Sequence, residues 1–190
     1  MEFVTRLAAI IIAVFSSQKP MTDADQVRLQ AVAQDIWQVS SSPIFGGEDQ
    51  DARRATALAL VAVATHESAY WADVQDCSLC YPGSAWCDRG RSVTLFQLQG
   101  KMAWGPYTRE ELCKDNRKAT ERARHVLSRF TKSRSPLELF DGYASGGLRM
   151  RPSRAARQLA SGHASLLSKE GLMITYKDGR LSAVPIRRGP

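Results

Sequence analysis

Ala55-Thr56-Ala57-Leu58-Ala59-Leu60-Val61-Ala62-Val63-Ala64-Thr65, followed at once by His66-Glu67-Ser68, is the stretch that decides the fold. Apolar on every face, rich in Ala and Leu and too long for a typical strand, the segment from Ala52 to Ser68 predicts a helix buried on all sides. Such a helix is the middle of a core. A carboxylate in the last turn of a buried helix is partly desolvated and faces the negative end of the macrodipole, and both effects favour the protonated acid. Glu67 is therefore a candidate general acid, and the bland reading beside it is a boundary residue that points into water.

With 190 residues, 44% of them hydrophobic and 24% charged, the chain has the makeup of one ordinary globular domain. Its net charge of +7 is unevenly placed: residues 1–100 carry 7 basic and 11 acidic side chains, −4, and residues 101–190 carry 19 basic and 8 acidic, +11. The second half calls for an anionic partner. Nucleic acid is one such partner, and a cell wall bearing peptide carboxylates and anionic polymers is another.

Four cysteines, Cys77, Cys80, Cys87 and Cys113, lie in the middle of the chain. Their even count around a loop-rich segment fits disulfides formed in an oxidising compartment, with three full pairings open. Cys77-x-x-Cys80 also supplies half of a four-thiolate zinc site, but the second half is not a Cys-x-x-Cys pair, so spacing favours disulfides.

The N-terminal run Leu7-Ala8-Ala9-Ile10-Ile11-Ile12-Ala13-Val14-Phe15 follows Arg6 and is short for a bilayer span. Residues 1–21 read equally as a signal-like segment, an export anchor touching a membrane through residues 7–15, or a helix packed on the domain. Thr22-Asp23-Ala24-Asp25 then starts an amphipathic helix with Leu29, Val32, Ala33, Ile36 and Val39 on its apolar face. Ser40 to Gly47 is a break, and the acidic run Glu48 to Asp51 suits the N-terminus of the buried helix.

Residues 69–93 read as irregular, with Trp71, Tyr81 and Trp86 among the cysteines, aromatics that either fill a small core or stack on sugar rings. Ser92 to Gln99 alternates and is a strand or an extended turn. Helices are predicted from Thr108, along Ala119, Ala123, Val126, Leu127 and Phe130, and from Pro136 into Tyr143-Ala144-Ser145-Gly146-Gly147. Ser153 caps a basic helix that Gly162 is expected to break, His125 and His163 read as surface residues, and residues 176–190 read as a basic tail ending in Arg187-Arg188.

Three motifs now stand in order: Glu67-Ser68, Thr94-Leu95-Phe96-Gln97-Leu98, and Tyr143-Ala144-Ser145-Gly146. Together they resemble the SLT-type lytic transglycosylases, relatives of goose-type lysozymes, whose pattern is Glu-Ser, then Gly-Leu-Met/Phe-Gln, then Tyr-Asn-Ala-Gly. The likeness spans about residues 52–165. Thr94 stands where the family has Gly, and Ala144 and Ser145 stand where it has Asn and Ala.

The resemblance implies a mainly α, lysozyme-like domain over residues 22–175, built around the buried helix, with a small irregular cysteine-containing lobe. It implies cleavage of the glycan strands of peptidoglycan, with Glu67 as acid and then base, and a 1,6-anhydro product that needs one carboxylate. Tyr143 orients or polarises Glu67 in this picture, while Ser68, Thr94, Phe96, Gln97 and Gly146 meet the sugar. No cofactor, metal or nucleic acid is expected. The setting implied is the periplasm, the outside of the cell, or a phage virion or cell-envelope assembly.

Other readings stay open. A hydrolase of the same fold needs a second carboxylate, for which Asp73, Asp76 and Asp88 are the candidates. A degenerate lysozyme-like fold serves as a structural or wall-binding part, and a basic module binds nucleic acid through Arg149, Arg151, Arg154 and Arg157. A zinc peptidase is excluded, because H-E-x-x-H needs a second His where Tyr70 stands.

Overall fold

Helical periodicity in the sequence becomes helix in the structure, a computed structural model that describes residues 2–145 and 152–186. In chain order the elements are α1 (Glu2–Ser16), α2 (Asp23–Val39), α3 (Asp49–Ser68), α4 (Ala72–Gln75), α5 (Cys87–Gly90), β1 (Ser92–Val93), β2 (Leu98–Gln99), α6 (Gly100–Trp104), α7 (Arg109–Lys114), α8 (Asn116–Ser128), α9 (Pro136–Ser145), α10 (Arg154–Lys169), β3 (Leu172–Lys177) and β4 (Arg180–Pro185). The class is mainly α. Gly146, Gly147, Arg149, Arg151, Arg187 and Arg188, which the sequence reading singled out, lie outside the described residues.

α3 is the expected core helix: Ala55 and residues 57–64 are buried together with the Thr56 side chain. Thr56 shows how a hydroxyl is kept there, since its Oγ1 donates to Ala52 O at 2.9 Å and accepts from the Ile44 N–H at 3.0 Å. The chain gathers into two compact units, one of residues 1–39 and 63–123, the other of residues 40–62 and 124–190. The expectation was one domain from 22 to 175, whereas α3 contributes its first part to the second unit and its last turns to the first.

In the first unit α1 packs on α2. Phe3, Leu7, Ile11 and Phe15 are buried, the Phe3 and Trp37 rings lie 4.9 Å apart, and the Arg28 guanidinium sits 5.4 Å from the centre of the Phe15 ring. The N-terminal apolar segment is thus helical over Glu2–Ser16. No helix among the described residues is long and apolar enough to cross a membrane. α2 starts as its sequence announced, with Thr22 Oγ1 accepting from Asp25 N–H at 3.1 Å and Asp25 Oδ2 accepting from Thr22 N–H at 3.2 Å.

The second unit corrects three expectations. Gly162 does not break α10, which runs unbroken through it. A single glycine in a helix costs only about 1 kcal/mol against alanine, and burial of Ala156, Leu159, His163 and Leu167 on one face outweighs that. His163 is therefore not a surface residue. It is fully buried, its Nε2 lies 3.2 Å from Ala55 O, and its ring stacks at 5.5 Å on Phe45 and meets Phe140 edge-on at 5.4 Å. Burial holds its pKa down to about 4, so the imidazole is neutral at pH 7.

The third correction is the tail. Residues 172–185 form an antiparallel hairpin, with Leu172 opposite Pro185 and Lys177 opposite Arg180, and the boundary expected at 175/176 falls inside β3. Its turn is Asp178-Gly179, both with positive φ of 51° and 80°, the pairing that a two-residue hairpin turn prefers. β4 is held on its other side by Gly46, whose N–H donates to Leu181 O and whose carbonyl accepts from Ala183 N–H, both at 2.8 Å.

Because α1 is packed through Ile11, the Ile11→Ala chain should lose roughly 2–4 kcal/mol of unfolding free energy. Urea titration of the full chain measures it, and an unchanged midpoint would mean that α1 is not part of the folded core.

Candidate active site

Glu67 lies in the last turn of α3, half-buried, where the helix is made to stop. The next two residues, Ala69 and Tyr70, have φ of 47° and 63° and cannot continue a right-handed helix. Neither is glycine, so the exit carries strain that other contacts must offset. Ser68 Oγ donates to Ala64 O at 2.9 Å and accepts from Tyr70 N–H at 3.2 Å. Arg28 Nη2 donates to Tyr70 O at 2.9 Å, and the Tyr70 ring is fully buried. The hydroxyl of Ser68, expected to meet sugar, is thus engaged in capping α3.

Burial raises the Glu67 carboxyl, and the Asp88 carboxylate raises it further, to about 7. No cation or hydrogen-bond donor among the described residues counters these effects. A carboxyl so raised keeps its proton to a much higher pH than an ordinary one, and the protonated form is the state a general acid requires. Among Asp73, Asp76 and Asp88, only Asp88 is close enough in charge terms to be felt at Glu67.

Asp88 is placed by an unusual piece of backbone. Cys87, Asp88, Arg89 and Gly90 all have positive φ, from 51° to 78°, so α5 is a left-handed turn. Each non-glycine residue there costs about 1–2 kcal/mol. Gly90 is required, since a Cβ would come within 2.2 Å of the Tyr81 carbonyl oxygen. The turn is tied down by the Cys80–Cys87 disulfide, and the Asp88 carboxylate accepts from Ser92 Oγ at 3.1 Å and Gln99 Nε2 at 3.4 Å.

A second disulfide, Cys77–Cys113, anchors the same lobe to the end of α7. Zinc is not what the cysteines hold: all four are paired with one another. Two disulfides belong to an oxidising, non-cytoplasmic environment.

The second motif is a tight hairpin rather than a single strand. β1 and β2 pair Ser92 with Gln99 and Val93 with Leu98, and Thr94 to Gln97 make the turn. Thr94 has φ of 66°, a conformation a β-branched side chain rarely takes and one that glycine accepts freely. Thr94 and Phe96 are buried, 1% and 0% exposed, and so serve the core here instead of meeting a sugar. Gln97 is half-buried and its Nε2 donates to Thr94 O at 3.0 Å and lies 3.6 Å from Cys87 Sγ. Tyr143 is half-buried in the last turn of α9, in the second unit, and Gly146 lies outside the described residues.

The lobe also carries an aromatic pair. The Trp71 backbone N–H donates to Ser68 O, the residue after Glu67, at 3.1 Å. The Trp86 ring lies 5.6 Å from that of Trp71, and Lys19 Nζ is 4.2 Å from the centre of the Trp71 ring. Lys19 had no local signal in the sequence, because it reaches Trp71 from before α2. No family model, no curated protein and no solved structure matches the chain.

The raised pKa has a stability signature. Unfolded, Glu67 releases its proton near 4.5, and folded it holds the proton to about 7. Stability from this group is complete below 4.5 and is lost as pH rises through 7, on the order of 2–3 kcal/mol in all. Glu67→Gln should therefore be more stable than the parent at pH 8 by about that amount and nearly equal to it at pH 4. Urea midpoints at the two pH values check this, and equal differences at both would show that Glu67 is not held protonated by burial.

Proposed function

We propose that this chain cleaves the glycan strands of peptidoglycan as a lytic transglycosylase, at the β-1,4 bond from N-acetylmuramic acid to N-acetylglucosamine. The observation that carries the reading is Glu67, a carboxyl at the edge of a buried helix whose pKa stands near 7. Glycosidic cleavage needs a proton on the leaving oxygen, and an ordinary carboxyl at neutral pH has none to give. Glu67 donates that proton as the C–O bond breaks. Its carboxylate then accepts the proton of the 6-hydroxyl, whose oxygen closes on the anomeric carbon. Glu67 is thereby restored, and neither water nor a cofactor enters the balance.

Thr94 adds support of a different kind. The resembled pattern has glycine at this place, and the backbone of this chain adopts there a φ that glycine takes without strain. Thr94 thus keeps a turn that a glycine would take freely. The two disulfides suit an enzyme acting in the periplasm, outside the cell or on a phage virion.

Asp88 favours a second reading. Its charge is felt at Glu67, so a muramidase that uses Asp88 as the second carboxylate is the rival chemistry. The product separates the two. Mass spectrometry of purified peptidoglycan digested by the parent should show anhydro-muropeptides, and digestion by Glu67→Gln should show none. Reducing-end products would make the enzyme a hydrolase and turn attention to Asp88→Asn. Equal digestion by parent and Glu67→Gln would end both readings.

The pH profile is a further check. The first step uses protonated Glu67, so kcat/KM should fall about tenfold per pH unit above a pKa near 7. A rate that keeps rising to pH 9 would remove Glu67 as the acid.

A further inference from the structure

We propose that Trp86, braced by Trp71 and Lys19, is a stacking platform for a pyranose ring of a carboxylate-bearing aminosugar strand, beside Glu67. This rests on the glycan-cleaving reading above and assigns a binding role to residues outside the family-like motifs.

Trp86 is 51% exposed, a large apolar surface to leave in water. The backbone that carries it is held in place: the Trp86 backbone N–H donates to Ser84 Oγ at 3.0 Å, Ser84 Oγ donates to Leu79 O at 2.6 Å, and Cys80–Cys87 closes the loop around it. Trp71 backs it at 5.6 Å with the ring planes tilted by 54°. Trp71 is itself occupied by Lys19 Nζ at 4.2 Å, so the surface left for a ligand is that of Trp86.

Position ties the platform to the carboxyl. Trp71 is bonded through its N–H to Ser68 O, the residue after Glu67, and Trp86 stands two residues before Asp88, whose charge Glu67 feels. A ring stacked on Trp86 therefore belongs to a strand passing the acid. The chemistry selects a sugar: the C–H face of a pyranose carries partial positive charge and is flat and apolar, the complement of the negative face of an indole. One indole is too small a patch for a protein partner. Lys19 adds a cation at the same place, which selects strands bearing carboxylates over neutral ones.

The test uses the full chain in the Glu67→Gln form, titrated with the neutral N-acetylglucosamine hexamer and with soluble, uncross-linked peptidoglycan strands that carry peptide carboxylates. Binding is read by calorimetry. Trp86→Ala should weaken both ligands about tenfold or more, and Trp86→Phe should recover much of the loss. Trp86→Leu, which keeps apolar bulk without a flat face, should bind as poorly as Trp86→Ala while keeping the urea midpoint of the parent. Lys19→Gln should weaken only the carboxylate-bearing strands, about threefold, with the difference gone in 1 M salt.

If Trp86→Leu binds both ligands like its parent while the wild type cleaves peptidoglycan, the platform is wrong and the enzyme reading stands. If Trp86-dependent binding is seen and the wild type cleaves nothing, the platform stands and the enzyme reading falls. If the Glu67→Gln form binds neither ligand, the platform falls, and cleavage by the wild type alone decides the enzyme reading.

Discussion

Everything at the candidate site depends on how α3 is stopped. A helix buried on every side has no exposed face on which to place a carboxylate, so an acid can sit only at its ends. Ala69 and Tyr70 end it by turning into left-handed backbone, and that turn is bound by the buried ring of Tyr70, the Arg28 bond to Tyr70 O and the two bonds of Ser68 Oγ. The chain then reverses into the lobe at Trp71. Glu67 is left desolvated and, among the described residues, without a compensating charge, which is the condition that keeps a proton on it.

The lobe repeats the same device. Cys87, Asp88 and Arg89 hold left-handed conformations that their side chains disfavour, and Thr94 and Gln97 do so in the adjoining hairpin. Strain of this kind persists only where surrounding structure over-determines it. Here the determinants are the two disulfides, the approach of Gly90 to the Tyr81 carbonyl and the bonds to the Asp88 carboxylate. A lobe so fixed can hold Asp88 near Glu67 and Trp86 outward at once, which a flexible loop of the same composition could not do without losing the entropy of ordering it.

What the sequence made legible is what local chemistry encodes. The apolar run of α3, the Thr22–Asp25 start of α2 and the Thr108–Glu111 capping box of α7 are each written within a few residues. So was the β3–β4 turn: Asp178-Gly179 between alternating residues is a hairpin signal, and its placement near the chain's end hid it. His163 was legible too, at the spacing of Ala156, Leu159 and Leu167, although its basic neighbours suggested a surface. Left-handed backbone at Arg89, Thr94 and Gln97 was not, because nothing in those residue types announces positive φ. At the site, Glu67 was named from the end of its helix together with the two motifs downstream, since the helix alone reads as well with a boundary residue there. Phe96 and Thr94, which the resemblance assigned to the sugar, are buried, and their burial was not legible because a motif does not say whether a residue faces a ligand or the core.

Charge is unevenly distributed between the two units. Counting whole units, the one bearing Glu67 carries 11 basic and 12 acidic residues, −1, and the other carries 15 basic and 7 acidic, +8. Holding a polyanionic strand favours positive charge, which raises encounter rates over distances of a Debye length or more. Placed around Glu67, that same charge would favour its ionised form and pull its pKa back toward the ordinary carboxyl value, removing the proton donor at neutral pH. On the proposed reading the two demands conflict, and the chain's excess of arginine and lysine belongs to the unit that does not contain the acid. Within Glu67's own unit the neighbour that counts is the negative Asp88, which works in the direction the chemistry needs.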